Sequence, residues 1–456
     1  MSQQGQGQGP EPPERHRHTF GFDTRAIHAG QRPDPYTGAR AMPIYQTTSF
    51  VFEDTEAAAA YFDLQEYGHI YSRIGNPTVA AFEERVASLE GGIGAVAFAS
   101  GLAAQAAALF TLLQPGDHLV ASQALYGGTT AQFKNVLGKM SIETTFVNPD
   151  DLDAWQAALR PNTKALYGET IGNPGGNVLD LAAVAAIAHR HGAPLVVDNT
   201  FASPYLCRPI EWGADIVIHS ATKFIGGHGT SIGGIVVDSG TFEWENGRFP
   251  AMVEPSANYH GLPFIDTFGM YGYLMKLRAE TLRDLGASMS PFNAFMFLVG
   301  LETLPLRMER HVENALGVAR FLAAHPMVER VHYGGLPESP YFPLVEKYLP
   351  NGAGAIFAID IKGGRPAGKR FIESLRLWSH LANVGDAKSL VIHPATTTHR
   401  QLTDEELLAG GISAGTIRLS VGLETLEDLL WDLDQALAAA RAETPAAVAT
   451  AAGGDA

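Results

Sequence analysis

The sequence predicts an α/β protein with a large domain, built on a mainly parallel β-sheet covered by helices, and a smaller C-terminal α+β domain. Three observations support this prediction. The chain has 456 residues, which is enough for one large and one smaller domain. Hydrophobic residues make up 46% of the chain, so both domains have apolar side chains for a core. Short apolar runs alternate with helical segments from about residue 76 to 237, as they do in parallel sheets.

The charge and the single cysteine narrow the class of protein. The 32 Lys and Arg against 48 Asp and Glu give a formal net charge of −16, which attracts neither a nucleic-acid backbone nor an anionic membrane surface. Cys207 is the only cysteine, which excludes an intramolecular disulfide and a thiolate zinc site within one chain. No apolar run reaches the ~20 residues of a membrane span, and the N-terminus lacks the apolar core of a signal peptide. We therefore expect a cytoplasmic protein that binds no nucleic acid, membrane or metal.

The two ends of the chain differ in composition from the rest. Residues 1–18 are rich in Gln, Gly and Pro, and residues 443–456 are rich in Ala and Gly. Residues 1–18 cannot bury enough apolar surface to offset the entropy cost of ordering, and Thr444-Pro445 interrupts the Ala-rich stretch at the other end. Both segments are therefore expected to be disordered tails without a chemical role. Between them, residues 71–288 are expected to form the large domain and residues 289–442 the smaller one.

Local signals place the elements of both domains. Asn76 and Pro77 start a helix that stops at Gly91, since Asn caps helices and Pro fits their first turn. Runs rich in Val, Ile and Ala predict buried strands at Ala95–Ala99, His118–Ala121, Ala165–Gly168, Leu195–Asp198, Ile216–His219 and Ile235–Val237. In the smaller domain, the patterns predict helices at Ala294–Val299, Val312–Ala324 and Leu426–Ala440 and strands at Ala355–Ile361 and Thr416–Val421.

Two chemically useful residues follow neighbouring strands. Asp198 ends one strand, and Lys223 follows the next, so both should lie at the edge where open parallel sheets bind ligands. A lysine can form a Schiff base with an aldehyde, and a carboxylate can keep a pyridine nitrogen protonated, so the pair suits pyridoxal phosphate. For these two residues alone, a surface lysine paired with a strand-end aspartate is the simpler interpretation.

A phosphate-binding pattern lies upstream of this pair. Residues 98–102 end a strand and open a helix, which places the amides of Gly101 and Leu102 at the positive end of the helix dipole. Ser220 and Thr222, close to Lys223, can add hydroxyl donors to the same phosphate. The Ser-Gly pair is also consistent with an ordinary helix cap.

Five blocks of the sequence resemble the Cys/Met-metabolism family of fold-type I pyridoxal-phosphate enzymes. The blocks are YSRIGNPT at 71–78, ASGLAA at 99–104, LYGGT at 125–129, VDNTFASP at 197–204 and SATKFIGGH at 220–228. The resemblance runs from about Thr24 to Leu433. It implies the fold of that family, with a seven-stranded sheet in the large domain, and pyridoxal 5'-phosphate as the cofactor.

The resemblance also implies roles for single residues. Lys223 would form the Schiff base, Asp198 would pair with the pyridine nitrogen and Tyr126 would stack on the ring, with Lys223 and Tyr126 as the catalytic residues. Asn173, in a Gly-Asn-Pro turn, would lie beside the ring hydroxyl. The other cofactor-binding residues that it implies are Tyr71, Arg73, Ser100, Gly101, Leu102, Ser220 and Thr222.

An oligomer is part of the same expectation. Tyr71 and Arg73 would bind the cofactor phosphate of a neighbouring subunit, and residues 19–70 would contact that subunit. The resemblance implies a homotetramer built as a dimer of dimers.

Two stretches resemble one branch of the family in particular. Residues 381–394 and the extended segment around residues 254–261 are similar to members that act on O-acetyl-L-homoserine and sulfide. The lyases and cystathionine synthases usually carry Ser where Asn383 stands, and the resemblance implies that Asn383 binds the substrate. Arg418 matches the arginine that holds the substrate α-carboxylate, a role that suits a planar, bidentate group.

These matches predict the reaction and leave alternatives. We expect γ-replacement of acetate by sulfide, or by methanethiol, giving L-homocysteine or L-methionine. A cystathionine γ-synthase, a methionine or cystathionine γ-lyase and a non-catalytic binding homologue are the alternatives. The two residues also have purely structural interpretations. Arg418 would then form an ion pair at a strand edge, and Asn383 would be a turn residue.

Overall fold

The computed structural model describes residues 19–173, 175–397, 400 and 413–441, so the two predicted tails lie outside the described residues. This part of the chain forms two β-sheets, one of seven strands and one of five. None of the helices in it is long and apolar enough to cross a membrane.

The larger sheet has the strand order β1-β7-β6-β5-β4-β2-β3. Strands β2 to β6 run parallel to one another, and β7 is antiparallel to both of its neighbours, β1 and β6. The prediction of a mainly parallel sheet is therefore confirmed. The strands are β1 (Gly94–Phe98), β2 (His118–Ser122), β3 (Glu143–Val147), β4 (Thr163–Glu169), β5 (Leu195–Asp198), β6 (Ile216–Ser220) and β7 (Gly234–Asp238).

The smaller sheet has the strand order β10-β11-β12-β9-β8. All its neighbouring strands are antiparallel except β10 and β11. The strands are β8 (Val328–His332), β9 (Ile356–Ile361), β10 (Ser379–His380), β11 (Leu390–Ile392) and β12 (Thr416–Ser420). The two strands predicted here from the apolar pattern correspond to β9 and β12.

Helices cover both sheets. The α-helices of the described chain are α1 (Phe22–His28), α2 (Thr55–Phe62), α3 (Pro77–Glu90), α4 (Gly101–Leu112), α5 (Gly127–Gln132), α6 (Leu152–Ala157), α7 (Leu181–Arg190), α8 (Ser203–Leu206), α9 (Pro250–Val253), α10 (Phe264–Phe268), α11 (Gly272–Lys276), α12 (Arg283–Leu285), α13 (Pro291–Glu302), α14 (Leu304–Ala324), α15 (Phe342–Tyr348), α16 (Gly364–Ser374) and α17 (Leu426–Arg441). Two π-helical segments, Phe133–Leu137 and Leu277–Leu282, continue α5 and α11.

Local capping explains where the helices next to the site begin. The Asn76 side chain accepts a hydrogen bond of 3.0 Å from the amide of Thr78 at the start of α3. Gly91 ends that helix with a φ of 84°, a left-handed conformation that favours glycine. Ser100 caps α4 by accepting from the amide of Ala103 at 3.1 Å. Both predicted helix starts are therefore confirmed.

The site is positioned by three neighbouring strand ends. Glu169 of β4 pairs in register with Asp198 of β5, which in turn pairs with Ile218 of β6. The carboxyl ends of these parallel strands therefore meet at one edge of the larger sheet. Arg418 of β12 reaches this edge from the smaller sheet, so the two sheets enclose a common space.

Candidate active site

A cavity of about 340 Å³ lies at the carboxyl ends of β4, β5 and β6. It is lined by every predicted site residue except Tyr71 and Arg73. The predicted residues in its wall are Ser100, Gly101, Leu102, Tyr126, Asn173, Asp198, Ser220, Thr222, Lys223, Asn383 and Arg418. The fold thus collects in one place residues that are spread over more than 300 positions of the sequence.

Lys223 lies in the turn after β6, and its side chain points into the cavity. Its amide donates to the carbonyl of Ser220 at 3.2 Å, and its Nζ donates to Oδ1 of Asn383 at 2.6 Å. Burial, with a smaller contribution from the charge of Arg418, lowers the pKa of Lys223 to about 8. A useful fraction of the amine is therefore neutral, and nucleophilic, near physiological pH.

Asp198 ends β5 with its carboxyl group in the cavity wall. Its Oδ1 accepts a hydrogen bond of 2.9 Å from the amide of Thr200. Burial raises the pKa of Asp198, against the opposing effect of the Thr200 hydrogen bonds. A buried carboxylate of this kind gains most from a cationic partner, and a protonated ring nitrogen supplies one.

Glu169 is a second carboxyl group beside Asp198, and sequence reasoning missed it. Its Oε1 accepts from the amide of Tyr126 at 2.6 Å. Burial first, and then the neighbouring Asp198, raise the pKa of Glu169 well above its usual value, against hydrogen bonds from the amides of Tyr126 and Asn173. Glu169 therefore holds in place the two residues expected to contact the face and the hydroxyl of the cofactor ring.

The start of α4 forms a cradle for an anion. A Cβ atom at Gly101 would lie 2.7 Å from the Cβ of Ser220, so only glycine lets the helix start approach β6 this closely. The first amides of a helix have no acceptor within it, and Gly101 and Leu102 line the cavity together with Ser220 and Thr222. The Thr222 hydroxyl donates to the carbonyl of Gly233 at 3.2 Å and would turn from it to donate to a phosphate. A phosphate group fits this set of donors.

Arg418 brings a second buried cation into the cavity. Burial lowers its pKa to about 10. Its guanidinium donates only long hydrogen bonds, of 3.3 Å to Oδ1 of Asn173 and 3.4 Å to the carbonyl of Asn383. No carboxylate of the described chain pairs with Arg418, which removes the strand-edge ion pair as an interpretation.

Tyr71 and Arg73 lie outside the cavity. Tyr71 is 41% exposed, and the guanidinium of Arg73 lies 5.5 Å from the centre of its ring. Arg73 also donates to the carbonyl of Arg283, the first residue of α12. A single chain does not bring these two residues to its own site, and their action on a neighbouring subunit stays a prediction.

Other residues line the cavity that the sequence did not single out. Thr200 and Phe201 belong to one of the matched blocks, and Ala382 and Val384 flank Asn383, so the motifs pointed to their neighbourhood. Gln105, on α4, accepts a hydrogen bond of 2.7 Å from the Tyr167 hydroxyl, which no motif indicates. The complete set of additional lining residues is Gln105, Thr129, Glu169, Ile171, Thr200, Phe201, Ile232, Ala382 and Val384.

The site therefore has a lysine for an aldehyde, an acid for a ring nitrogen and a cradle for a phosphate, which is the set of groups that pyridoxal phosphate requires. A family described as Cys/Met metabolism PLP-dependent enzymes matches residues 23–438. The chain belongs to this family, it is an enzyme, and its cofactor is pyridoxal 5'-phosphate. The predicted family, fold class and cofactor are confirmed.

Individual relatives share most of their length with this chain. It is 51% identical over 424 residues to an O-acetyl-L-homoserine sulfhydrylase from Leptospira meyeri, covering 91% of this chain and 96% of the relative. It is 51% identical over 419 residues to a homocysteine synthase from Schizosaccharomyces pombe, covering 91% of this chain and 98% of that relative.

A solved structure shares the fold. The chain is 39% identical, with a TM-score of 0.89, to a Campylobacter jejuni protein assigned as an O-acetylhomoserine (thiol)-lyase, covering 92% of this chain and 100% of the other. That crystal structure contains N'-pyridoxyl-lysine-5'-monophosphate.

Proposed function

We propose that this enzyme is an O-acetyl-L-homoserine sulfhydrylase of methionine biosynthesis. It replaces the acetate of O-acetyl-L-homoserine by sulfide and releases L-homocysteine, and methanethiol in place of sulfide gives L-methionine. One observation carries the proposal: Lys223 and Arg418 are the only cations among the described residues of the cavity wall. One serves the chemistry and the other the α-carboxylate, which leaves no cation for a second substrate carboxylate. The names of the relatives support the same reaction.

The cofactor contacts follow from the cavity wall. Asp198 pairs with the ring nitrogen, Asn173 contacts the ring hydroxyl and Tyr126 covers one face of the ring. The phosphate lies at the start of α4, bound by Ser100, Gly101, Leu102, Ser220 and Thr222. When bound, pyridoxal phosphate supplies an aldehyde for an amine and a protonated ring that withdraws electrons from the substrate Cα.

Lys223 moves the protons of the reaction. Loss of acetate from Cγ requires a base that removes protons from Cα and Cβ, and the addition of sulfide at Cγ is followed by their return. The neutral amine of Lys223, with its pKa lowered to about 8, can accept such a proton and give it back. The 2.6 Å hydrogen bond from Nζ to Oδ1 of Asn383 restricts the position of the amine, which keeps it directed at the substrate Cα and Cβ.

Arg418 orients the substrate. Its guanidinium, free of any described carboxylate, binds the α-carboxylate of the amino acid as a planar fork. The amino acid is thereby fixed at its head, and the acetyl ester extends toward the remaining cavity wall.

The assembly and the domains are part of the proposal. Tyr71 and Arg73 complete the phosphate site of a neighbouring subunit in a dimer, and two dimers form a homotetramer. Support comes from their place outside their own cavity and from exposed apolar side chains nearby, such as Val51 at 99% and Tyr67 at 82% exposure. We propose residues 71–288 and 289–442 as the two domains, and a cytoplasmic location, for which the single buried cysteine is the support.

The experiment is an acceptor assay on purified holoenzyme with O-acetyl-L-homoserine. We expect homocysteine and acetate in equal amounts when sulfide is present, and little product with cysteine or without an acceptor. Lys223→Ala is the control and should lose nearly all turnover. Cystathionine as the main product with cysteine, or ammonia and a keto acid without an acceptor, would contradict the proposal.

A further inference from the structure

A second cluster of buried polar side chains lies behind the cofactor edge of the larger sheet, and the proposed reaction does not use it. The cluster consists of Glu90, Thr170, Asn199 and His219. Glu90, Thr170 and Asn199 have no exposed surface, and His219 is 1% exposed. None of the four lines the cavity.

Hydrogen bonds join the four side chains into one continuous network. Oε1 of Glu90, at the end of α3, accepts from Nε2 of His219 at 2.5 Å and from Nδ2 of Asn199 at 2.8 Å. The other end of the Asn199 amide, Oδ1, accepts from the hydroxyl of Thr170 at 2.7 Å. The cluster therefore crosses the ends of β6, β5 and β4 in turn.

Each of the three cluster residues at a strand end is adjacent in sequence to a residue that lines the cavity. Thr170 follows Glu169, Asn199 follows Asp198, and His219 precedes Ser220. The ladder continues past the strand ends, since the amide of Thr170 donates to the carbonyl of Asp198 at 3.1 Å. Because successive side chains of a strand face opposite sides of the sheet, the cluster and the cofactor contacts occupy the two faces of the same three strand ends.

The members of the cluster depend on one another. Oε2 of Glu90 and Nδ1 of His219 have no hydrogen-bond partner in the described chain, so Oε1 of Glu90 is the only acceptor that His219 has there. The Asn199 amide is held more firmly, since its Nδ2 donates both to Glu90 and to the carbonyl of Cys207, each at 2.8 Å. A buried carboxylate of this kind is weak evidence for stability, because well-packed apolar residues often stabilise a core as well or better. Precise placement of the strand ends is a role that apolar packing does not provide.

We propose that Glu90, Thr170, Asn199 and His219 are positioning residues, which hold the ends of β4, β5 and β6 so that Glu169, Asp198 and Ser220 face the cofactor. The proposal rests on the cofactor contacts assigned above. It adds a set of residues that never touch the cofactor and yet set its affinity.

The test compares two buried carboxyl groups that contact opposite ends of the same two strands, β5 and β6. Asp215, 2% exposed, accepts from Nε2 of His189 at 2.8 Å and from the amide of Leu195 at 2.7 Å, at the opposite ends of β5 and β6. Glu90→Gln and Asp215→Asn therefore make the same chemical change at the two ends. The dissociation constant of pyridoxal phosphate is measured by titrating each apoenzyme and following the visible absorbance, alongside the melting temperature.

We expect both variants to melt at lower temperature, and Glu90→Gln to weaken pyridoxal phosphate binding at least fivefold more than Asp215→Asn does. A smaller difference overturns the proposal. If Glu90→Gln does not fold, the near-isosteric Thr170→Val decides by the same criterion. The titration contains no substrate, so it tests the positioning role separately from the proposed reaction. If wild-type enzyme makes homocysteine but Glu90→Gln binds the cofactor as tightly as wild type, the positioning role is wrong and the proposed function stands.

Discussion

Nζ of Lys223 donates a 2.6 Å hydrogen bond to Oδ1 of Asn383, which lies 160 residues further along the chain. The lysine follows β6 of the larger sheet, and the asparagine precedes β11 of the smaller one. The reactive amine is therefore held from both sides of the cavity. An uncharged acceptor at this distance orients the amine without the strong rise in pKa that a carboxylate would cause.

The first prediction concerns the pH dependence of cofactor capture. Only the neutral amine reacts with an aldehyde, so the rate at which apoenzyme captures pyridoxal phosphate should rise with pH and level off above the Lys223 pKa of about 8. Asn383→Asp adds a negative charge beside Nζ and should move this midpoint up by about one unit or more. Asn383→Ala should leave it at or below the wild-type value.

Stopped-flow absorbance between pH 6 and pH 11 measures these rates. A wild-type midpoint near the ordinary lysine value, or a downward shift in Asn383→Asp, would show that the amine is not in the environment described here.

The second prediction concerns the protonation of Glu169. Burial and the neighbouring Asp198 raise the pKa of Glu169 well above its usual value, which favours the uncharged carboxyl group, and its Oε1 accepts from the amide of Tyr126. Glu169→Gln keeps an oxygen acceptor and an uncharged side chain, so its kcat/KM should stay within about threefold of the wild-type value. Glu169→Ala leaves the amide unsatisfied, a cost of about 1–3 kcal/mol, and should lower kcat/KM roughly 10-fold or more. Equal damage in both variants would mean that the negative charge itself is required.

Much of this site was predictable because its signals are local. Asp198 and Lys223 follow apolar strands, and Gly101 sits where a strand becomes a helix, so short stretches of sequence indicate their place in the fold. Strand β3 was missed because it is an edge strand with the polar sequence Glu143-Thr144-Thr145, and it needs no apolar run.

The rest depends on contacts between distant segments. Glu169 lies one residue past a predicted strand and resembles a solvent-exposed acid until its register with Asp198 is known. Glu90 and His219 are 129 residues apart, and no pattern in either segment indicates their buried pair. Such pairs become visible only when the strands and helices are placed.

The third prediction tests the shared site. If Arg73 acts on a neighbouring subunit, mixing inactive Arg73→Ala and Lys223→Ala proteins should restore activity, because a mixed dimer has one site with both residues intact. With free exchange in a two-fold dimer, recovery approaches about a quarter of wild-type activity. Mixing Lys223→Ala with Asp198→Asn is the matched control, since both residues belong to the same cavity, and should restore nothing. If the first mixture recovers no activity although mass spectrometry shows that subunits exchange, Arg73 does not act on a neighbouring subunit.

The fourth prediction concerns Arg418. Every substrate of the proposed reaction type carries the same α-carboxylate, so Arg418→Ala should lower kcat/KM with acetyl and succinyl esters of homoserine by a similar factor. The loss corresponds to roughly 2–5 kcal/mol, the usual effect of removing one partner of a buried charge pair. The visible spectrum of the bound cofactor should not change. A change in the ratio between the two esters would mean that Arg418 contacts the leaving group.

The central claim is that the cavity accepts an uncharged ester and sulfide. A succinyl ester adds a second carboxylate, and beside Lys223 and Arg418 no other cation of the described cavity wall is present to pair with it. An unpaired charge in a partly dehydrated site is costly, so the acetyl ester should be preferred by ~10-fold or more. The most direct measurement is kcat/KM for homocysteine formation from O-acetyl- and O-succinyl-L-homoserine at saturating sulfide. A preference for the acetyl ester of that size is the predicted result, and equal use of the two esters, or a preference for the succinyl ester, would contradict the account.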